Sequence, residues 1–423
     1  MNSNKSHLKV TSNLTEWSEK AVKYIAKIVG GGTPSTKISE YWNGDIPWIT
    51  PKDLSIQQHK YICKGLRNIT SDGLNKSSVK IIPSNSVILS TRAPVGYIAI
   101  SRRDITTNQG CHSLIPNNDM DTEFLYYLLL NNVEYLKSQS NGSTFGELSA
   151  KVLSELRFKL PPLKEQKAIA KILSDLDSKI ELNEKMNRTL ETIAQAIFKH
   201  WFIDFEFPNE EGKPYKSNGG EMVDSELGKI PKGWTVGTVY ETANVLYGFP
   251  LSSKLFNSKI EGLPIVRNRD LIKQNPETYT REHMNEKYII KKGDVLVGMD
   301  GDFRVALWKS YPAILNQRVC KFEPKQYVAN AFLYFALNKS MEYFERSKVG
   351  TTVIHLGKSD IDSIKLVLPD TNIMSKYKEI SGFVFEKMVN NGIESISMVN
   401  ILKIILPKLM TGKIRVPLED EHE

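Results

Sequence analysis

The sequence predicts an α+β fold built from two duplicated domains, each followed by a long helix suited to pair with its counterpart as a coiled coil. Three observations predict it. Motifs recur at a constant spacing of 208 residues: Asn108-Gln109 returns as Asn316-Gln317, and Phe124-Leu125-Tyr126-Tyr127 as Phe332-Leu333-Tyr334-Phe335. Gly142-Ser143-Thr144, Leu148 and Leu160-Pro161 return as Gly350-Thr351-Thr352, Leu356 and Leu368-Pro369 at the same spacing. Further upstream, Pro47 and Asp53-Leu54 match Pro264 and Asp270-Leu271 at a spacing of 217, so the copies differ by a nine-residue loop change. The second observation is that both copies share one order of elements: short strands, a helix, a Gly-Ser/Thr loop, and a strand closed by proline. The third is an apolar stripe at helical spacing after each proline.

The elements follow in chain order. Residues 1–20 read as a tail and 21–162 as the first domain. Its β-branched and aromatic runs Val79–Ile82, Val87–Leu89 and Tyr97–Ile100 predict strands, Asp121–Ser138 a helix, and Leu156–Leu160 a closing strand. A helical region, 163–205, begins after Pro161-Pro162, where a missing N–H costs little. It carries Ile169, Ile172, Leu176, Ile180, Leu190, Ile193 and Ile197 three and four residues apart, with a gap around Asn183–Asn187. Residues 206–232, rich in Gly, Pro, Asn and Ser, read as a linker or exposed hairpin. The second domain, 233–369, repeats the pattern with strands Tyr288–Ile290, Val295–Val297 and Val305–Trp308, helix Ala329–Ser347 and strand Ile364–Leu368. A second helical region, 370–414, follows; Gly392 and Pro407 make it less regular, and 415–423 reads as a tail. Stripes this long suit a two-helix coiled coil, the alternative being helices packed on their own domains.

Composition narrows the function. A chain of 423 residues with 40% hydrophobic and 25% charged residues has room for two or three globular domains. No apolar run approaches the ~20 residues that span a bilayer, and Met1-Asn2-Ser3-Asn4-Lys5 opens no secretory signal. Cys63, Cys111 and Cys320 lack CxxC spacing and read as reduced thiols of a cytoplasmic protein. The formal charge is +8, and between Asp45 and Arg103 basic residues exceed acidic ones by six, a patch that suits a polyphosphate or a solvated face. There is no GxxxxGK[ST] loop, no strand-borne GxGxxG and no HExxH, and the seven histidines show no metal-ligand spacing. Glu165-Gln166-Lys167 has a nuclease-like spacing but no neighbouring Asp. The pattern is that of a reader of nucleic acid and not of a catalyst.

The residues resemble a known family, the DNA-specificity subunits of type I restriction–modification enzymes. The resemblance spans almost the whole chain. Its marks are Gly32-Thr33-Pro34-Ser35, Trp42-Asn43-Gly44-Asp45-Ile46-Pro47-Trp48-Ile49, Ser90-Thr91-Arg92, Thr107-Asn108-Gln109-Gly110 and Leu160-Pro161-Pro162-Leu163-Lys164-Glu165-Gln166. The segment Thr192–Phe202, Gly219–Ser225 and Pro407–Lys413 are similar too. The second copy departs where Asp300-Gly301-Asp302 replaces Arg92-Ala93-Pro94. The resemblance implies two target-recognition domains, each binding half of a split, asymmetric double-stranded DNA site, held apart by an antiparallel coiled coil. It implies one copy of this chain per complex, with two methylation (M) subunits and restriction (R) subunits. S-adenosylmethionine, ATP and magnesium are then used by those partners, with no cofactor on this chain and no membrane. A helix of some 36 residues is about 50 Å long, equivalent to roughly 15 base pairs, so the pair is a ruler. The competing readings are a coiled-coil adaptor and a self-contained methyltransferase or nuclease.

Arg to guanine and Asn or Gln to adenine are the commonest bidentate base contacts. The candidates for DNA in the first domain are Lys52, Arg67, Thr91, Arg92 and Gln109; in the second they are Arg267, Arg269, Arg304, Gln317 and Arg318. Thr144 and Thr351, in loops, are candidates for phosphate. Since both copies keep Asn-Gln, the pair either closes a turn or contacts DNA. Ile197, Phe198, Trp201 and Phe202 are the candidates for partner docking, the alternative being that they pack the coil.

Overall fold

The structure, a computed structural model, describes residues 16–57, 59–92, 94–140, 146–348 and 354–417. Two units form: one from residues up to Glu181 together with those from Met398 onward, the other from Leu182 to Ser397. Mixed helix and sheet, with a 40-residue helix after each domain, is the architecture that the repeat predicts.

In the first unit a five-stranded sheet runs in the order Ala26–Gly30, Cys111–Pro116, Val87–Thr91, Val95–Ser101, Tyr61–Ile62. Alternation along the central strand serves two cores. Val87 and Leu89 pack with Phe124, Leu125 and Leu128 of the helix Thr122–Asn131, while Ile88 faces Ile49, Leu54 and Ile105 on the other side. Asp121 caps that helix by accepting the Phe124 N–H at 2.9 Å. The predicted helix Asp121–Ser138 is interrupted at Asn132, whose side chain donates back to the Leu128 carbonyl at 2.7 Å; Val133–Ser138 then restarts. Val79–Ile82 is not a strand. Only Ile82 bridges, to Ile105, because Val79 turns in beneath Trp42 and Trp48. The predicted tail is shorter, since Ser18–Ala21 pairs with Arg157–Leu160. At the other end Arg415 chelates the buried Glu165 carboxylate at 2.7 and 2.9 Å, and so belongs to this unit. Cys111 and Cys320 are buried and Cys63 is exposed.

The second unit repeats the hydrogen-bond registers of the first. Ser18 opposite Leu160 becomes Thr235 opposite Leu368; Ala26 opposite Pro116 becomes Ala243 opposite Pro324; Val87 opposite Leu114 becomes Val295 opposite Phe322. The parallel pair of Trp48 with Thr106 becomes Ile265 with Ile314. The spacing is 217 in every strand before the divergent loop and 208 after it. That loop lies between Leu54 and Val87 in the first copy and between Leu271 and Val295 in the second. Even the tightest backbone approach is kept: a methyl group on Gly31 would overlap the Asn108 carbonyl, and one on Gly248 the Asn316 carbonyl. One run differs from expectation, as Tyr288 ends a 3-10 turn before the strand Ile289–Ile290; within 206–232, Met222–Ser225 and Gly228–Pro231 form a hairpin, one of the two alternatives for that segment.

The long helices are Leu163–Phe202 and Thr371–Met410. In the second unit Asn183 reaches Asn391 and Asn187 reaches Met388, so the two run antiparallel there. The second helix continues through Gly392, where a methyl group would collide with Lys309, so glycine permits the approach. In the first unit Ile169, Ala170 and Leu173 join the domain core together with Leu409 and Met410.

A buried polar cluster fastens the first domain to its helix. Lys60, 3% exposed in its side chain, donates to Glu123 at 3.0 Å and to Ser174 on the helix at 2.9 Å; Tyr61 and Ser174 also donate to Glu123, and Tyr127 to Asp177. Burial raises the Glu123 carboxyl pKa, but the hydrogen bonds from Ser174, Tyr61 and Lys60 outweigh it and hold the pKa below the ordinary value. Asp177 goes the other way, raised by burial. A depressed carboxyl contributes stability above its unfolded pKa and loses it as pH falls through the folded one. Asp177 works with the opposite sign. We expect Lys60→Met to cost about 3 kcal/mol at neutral pH. In denaturant titrations from pH 7 to 3 this deficit should narrow as pH falls through the Glu123 titration, because Glu123 without its cation has less pKa depression to lose. A deficit that stays constant over that range would refute the assignment.

Candidate nucleic-acid interface

In the first domain the candidate residues gather around the turn Asn108–Cys111. Cys111 donates its N–H to the Asn108 carbonyl at 3.1 Å, and Gly110 to the Asn108 side chain at 2.9 Å, so Asn108 is the turn closure and Gln109 its exposed tip. The Thr33 hydroxyl donates to the Gln109 side-chain amide oxygen. Gly110 sits against Pro51, the first residue of the short helix Pro51–Ile56. That places exposed Lys52 beside the turn. Thr50 and Asp53 form a capping box at this helix, and Asp53 also accepts the Leu66 N–H at 2.7 Å, which fixes the approach to Arg67. The Arg67 guanidinium lies 3.6 Å from the centre of the Trp42 ring. Trp42 meets Trp48 edge-on at 5.0 Å, and the two indoles donate to the Ser35 and Gly32 carbonyls. Arg67 is therefore an exposed cation on a rigid aromatic prop.

Two first-domain expectations need correction. Thr91 is fully buried, its hydroxyl held by the Gly110 carbonyl at 3.3 Å, so it supports the turn and cannot reach DNA. Lys60, counted in the basic segment, is occupied in the cluster beneath. Arg92 is half-exposed and faces Glu147 at 4.0 Å. Behind it, burial lowers the His112 pKa, which keeps that ring neutral at physiological pH.

The second domain brings its arginines into one open groove. Arg267, Arg269, Arg304 and Arg318 line it with Asn268, Asn316, Asp300 and Asp302, and Gln317 is exposed at the tip of the turn beside it. Arg267 is tied to Asp270 at 3.1 Å and to Thr278 at 2.8 Å. Arg304 pairs with Asp302 at 2.6 Å, and Arg318 faces Asp300 at 3.4 Å. Asn268 donates to the backbone carbonyls of Asp300 and Asp302 and so holds that loop in the groove. Thr144 and Thr351 lie outside the described residues.

The repeat spacing shows how the two surfaces diverge. Arg92 corresponds to Asp300, and Glu147 to His355. The first copy has Arg92 facing Glu147, whereas the second has Asp300 bound to the His355 Nδ1 at 2.7 Å. The contact is kept, and the acidic and basic residue types change places. Gly110 likewise corresponds to Arg318, a cation gained by the second copy alone. Asn268, Asp302, Glu147 and His355 were missed as site residues; projecting Arg92-Ala93-Pro94 through the repeat finds Asp302 from sequence, whereas His355 follows only once the Arg92–Glu147 contact is known.

The aromatic residues at the end of the first long helix also differ from expectation. Phe198, Trp201 and Phe202 are 8%, 6% and 5% exposed, and Ile197 packs half-buried against the same core. Phe202 meets Tyr377 at 4.7 Å and Phe332 at 5.0 Å. Phe198, Trp201 and Phe202 thus pack the core of the second unit, where Phe198 and Phe202 also line a pocket with Phe205 and Phe344. No group of side chains suited to hold a metal ion occurs among the described residues, and no helix there is long and apolar enough to cross a membrane.

Comparison with known proteins agrees with this geometry. The family described as "Type I restriction modification DNA specificity domain" matches twice, over residues 15–192 and 231–414. The type I restriction enzyme MjaIX specificity subunit of Methanocaldococcus jannaschii is 36% identical, covering 95% of this chain and 94% of that one. The HindI specificity subunit of Haemophilus influenzae is 25% identical over 86% of this chain and 89% of its own. In fold, the chain is similar to the type I restriction–modification S subunit from M. genitalium, with a TM-score of 0.58 and 17% identity over 94% of this chain and 97% of that one. Two family matches, one on each copy of the repeat, and a relative similar from end to end place this chain in the type I restriction–modification DNA-specificity family.

Proposed function

We propose that the chain is the DNA-recognition subunit of a type I restriction–modification assembly. Each domain reads one half of a split, asymmetric double-stranded site, and the long helices set the spacer. The observation that carries this is the exchange of acidic and basic residue types at equivalent positions, Arg92–Glu147 against Asp300–His355, with Arg318 added in the second copy. One scaffold that presents two different arrays of donors and acceptors suits two different half-sites. The chain acts in the cytoplasm as a single copy with two methylation subunits, and restriction subunits join them. S-adenosylmethionine, ATP and magnesium serve those partners; this chain supplies position and sequence.

Methylome sequencing of a host that co-expresses the chain with its methylation subunit tests this, with the chain deleted as control. A split motif present only with the chain supports the reading; assembly without a new motif favours an adaptor. Within the same assay, inserting one helical turn between Ile169 and Ile197, and one in the facing helix, is expected to lengthen the spacer and leave both half-sites unchanged. Altered half-site bases would contradict the division of labour between domains and helices.

A further inference from the structure

The gap in the apolar stripe at Asn183–Asn187 has a structural counterpart. Asn183 is fully buried and Asn391 is 2% exposed, in a seam that otherwise buries Met388, Val389 and Ile396. Asn183 donates to the Asn391 carbonyl at 3.4 Å and to Glu394 at 2.8 Å. Asn391 donates to the Asn187 side-chain oxygen at 2.9 Å, and Asn187 to the Met388 carbonyl at 3.0 Å. Asn183 and Asn391 are also the same residue of the repeat, 208 apart. A residue that meets its own counterpart marks the local two-fold point of an antiparallel helix pair.

We propose that Asn183, Asn187 and Asn391 are a register pin for the helix pair, and thereby positioning residues for spacer length. A seam of Ile, Leu, Met and Val is nearly indifferent to a slip of one turn, because each apolar side chain finds another. The amides are not indifferent. In any other register they face apolar side chains and are buried without partners. The layer is a poor source of stability, since the Asn183 side-chain oxygen is buried with no hydrogen-bond partner among the described residues. Its effect is to penalise the alternatives, the best-attested use of a buried polar group. The inference rests on the spacer reading above for its functional consequence, but not for its geometry.

The test is a distance measurement in the full chain. Spin labels on Lys185→Cys and Asn390→Cys, both exposed positions in the second unit, in a Cys63→Ser background, report the register by pulsed electron resonance. The parent should give one narrow distance. The N183L/N391L variant should melt no lower than the parent and give at least two distances, displaced by about 5.4 Å, one helical turn. One unchanged narrow distance in that variant overturns the proposal. So does a lower melting temperature, which would make the asparagines a source of stability. In the methylome assay the same variant should modify sites of more than one spacer length. If the parent assembly marks no split motif, the DNA reading falls while the distance result stands on its own.

Discussion

Replacing Phe202 by alanine is expected to unfold the second unit about 10 °C earlier than the parent. Its ring is 5% exposed and packs on Phe332, Tyr377, Phe198 and Trp234 with centroids 4.7 to 5.9 Å apart. Truncating such a ring removes its transfer free energy and leaves a cavity, together roughly 3–5 kcal/mol. For a domain of about two hundred residues each kcal/mol moves the melting temperature by roughly 2–4 °C. The experiment decides between two roles. A core residue lowers the melting temperature of the isolated chain; a docking residue leaves it alone and weakens only assembly with the methylation subunit. A melting curve that coincides with the parent's would return Phe202 to the partner interface.

Arg318→Ala is expected to weaken DNA binding by the assembled complex about 5- to 150-fold, equivalent to ~1–3 kcal/mol for one bidentate base contact. Arg318 follows the turn tip at a position that is glycine in the first copy, and it faces the Asp300 carboxylate across the groove at 3.4 Å. That pairing is exposed, so it is worth little against a base edge. The loss should fall on one half-site: methylation relaxes at a base position in the half read by the second domain and stays sharp in the other. Arg92→Ala should do the reverse. If Arg318 instead contacts phosphate, both halves weaken evenly and the slope of log affinity against log salt falls by about 0.9. An R318A complex with parental affinity, motif and salt slope would remove Arg318 from the interface.

Much of this was legible in the chain. The duplication, its two spacings and the position of the nine-residue change follow from Asn108-Gln109, Phe124–Tyr127, Pro47 and Asp53-Leu54 with their counterparts, and strand registers obey the same spacings. The long helices were legible because an apolar stripe at helical spacing repeats many times, which averages out local exceptions. Short elements lack that averaging. Val79–Ile82 has strand composition and no ladder partner, and Asn132 breaks a helix whose apolar spacing continues past it.

The candidate site divides in the same way. Side-chain type marked Arg67, Gln109, Arg304 and Arg318 as donors, and the structure leaves each exposed. Exposure itself is decided by what the remote chain brings into contact. Thr91 is covered by the Gly110 turn, Lys60 is drawn into a cluster with Glu123 and Ser174, and Phe198, Trp201 and Phe202 pack against Phe332 and Tyr377.

By itself, then, the sequence determined the repeat, the α+β class, the two long helices and the chemical character of the candidate surfaces, since each is encoded in local periodicity or in a spacing between like residues. Only the tertiary structure decided which cations and aromatics face solvent, that Asp300 and His355 reproduce the Arg92–Glu147 contact with acidic and basic residue types exchanged, and that the gap in the helix stripe is a hydrogen-bonded layer of asparagines. Burial and pairing are properties of contacts between residues far apart in the chain, and no local pattern carries them.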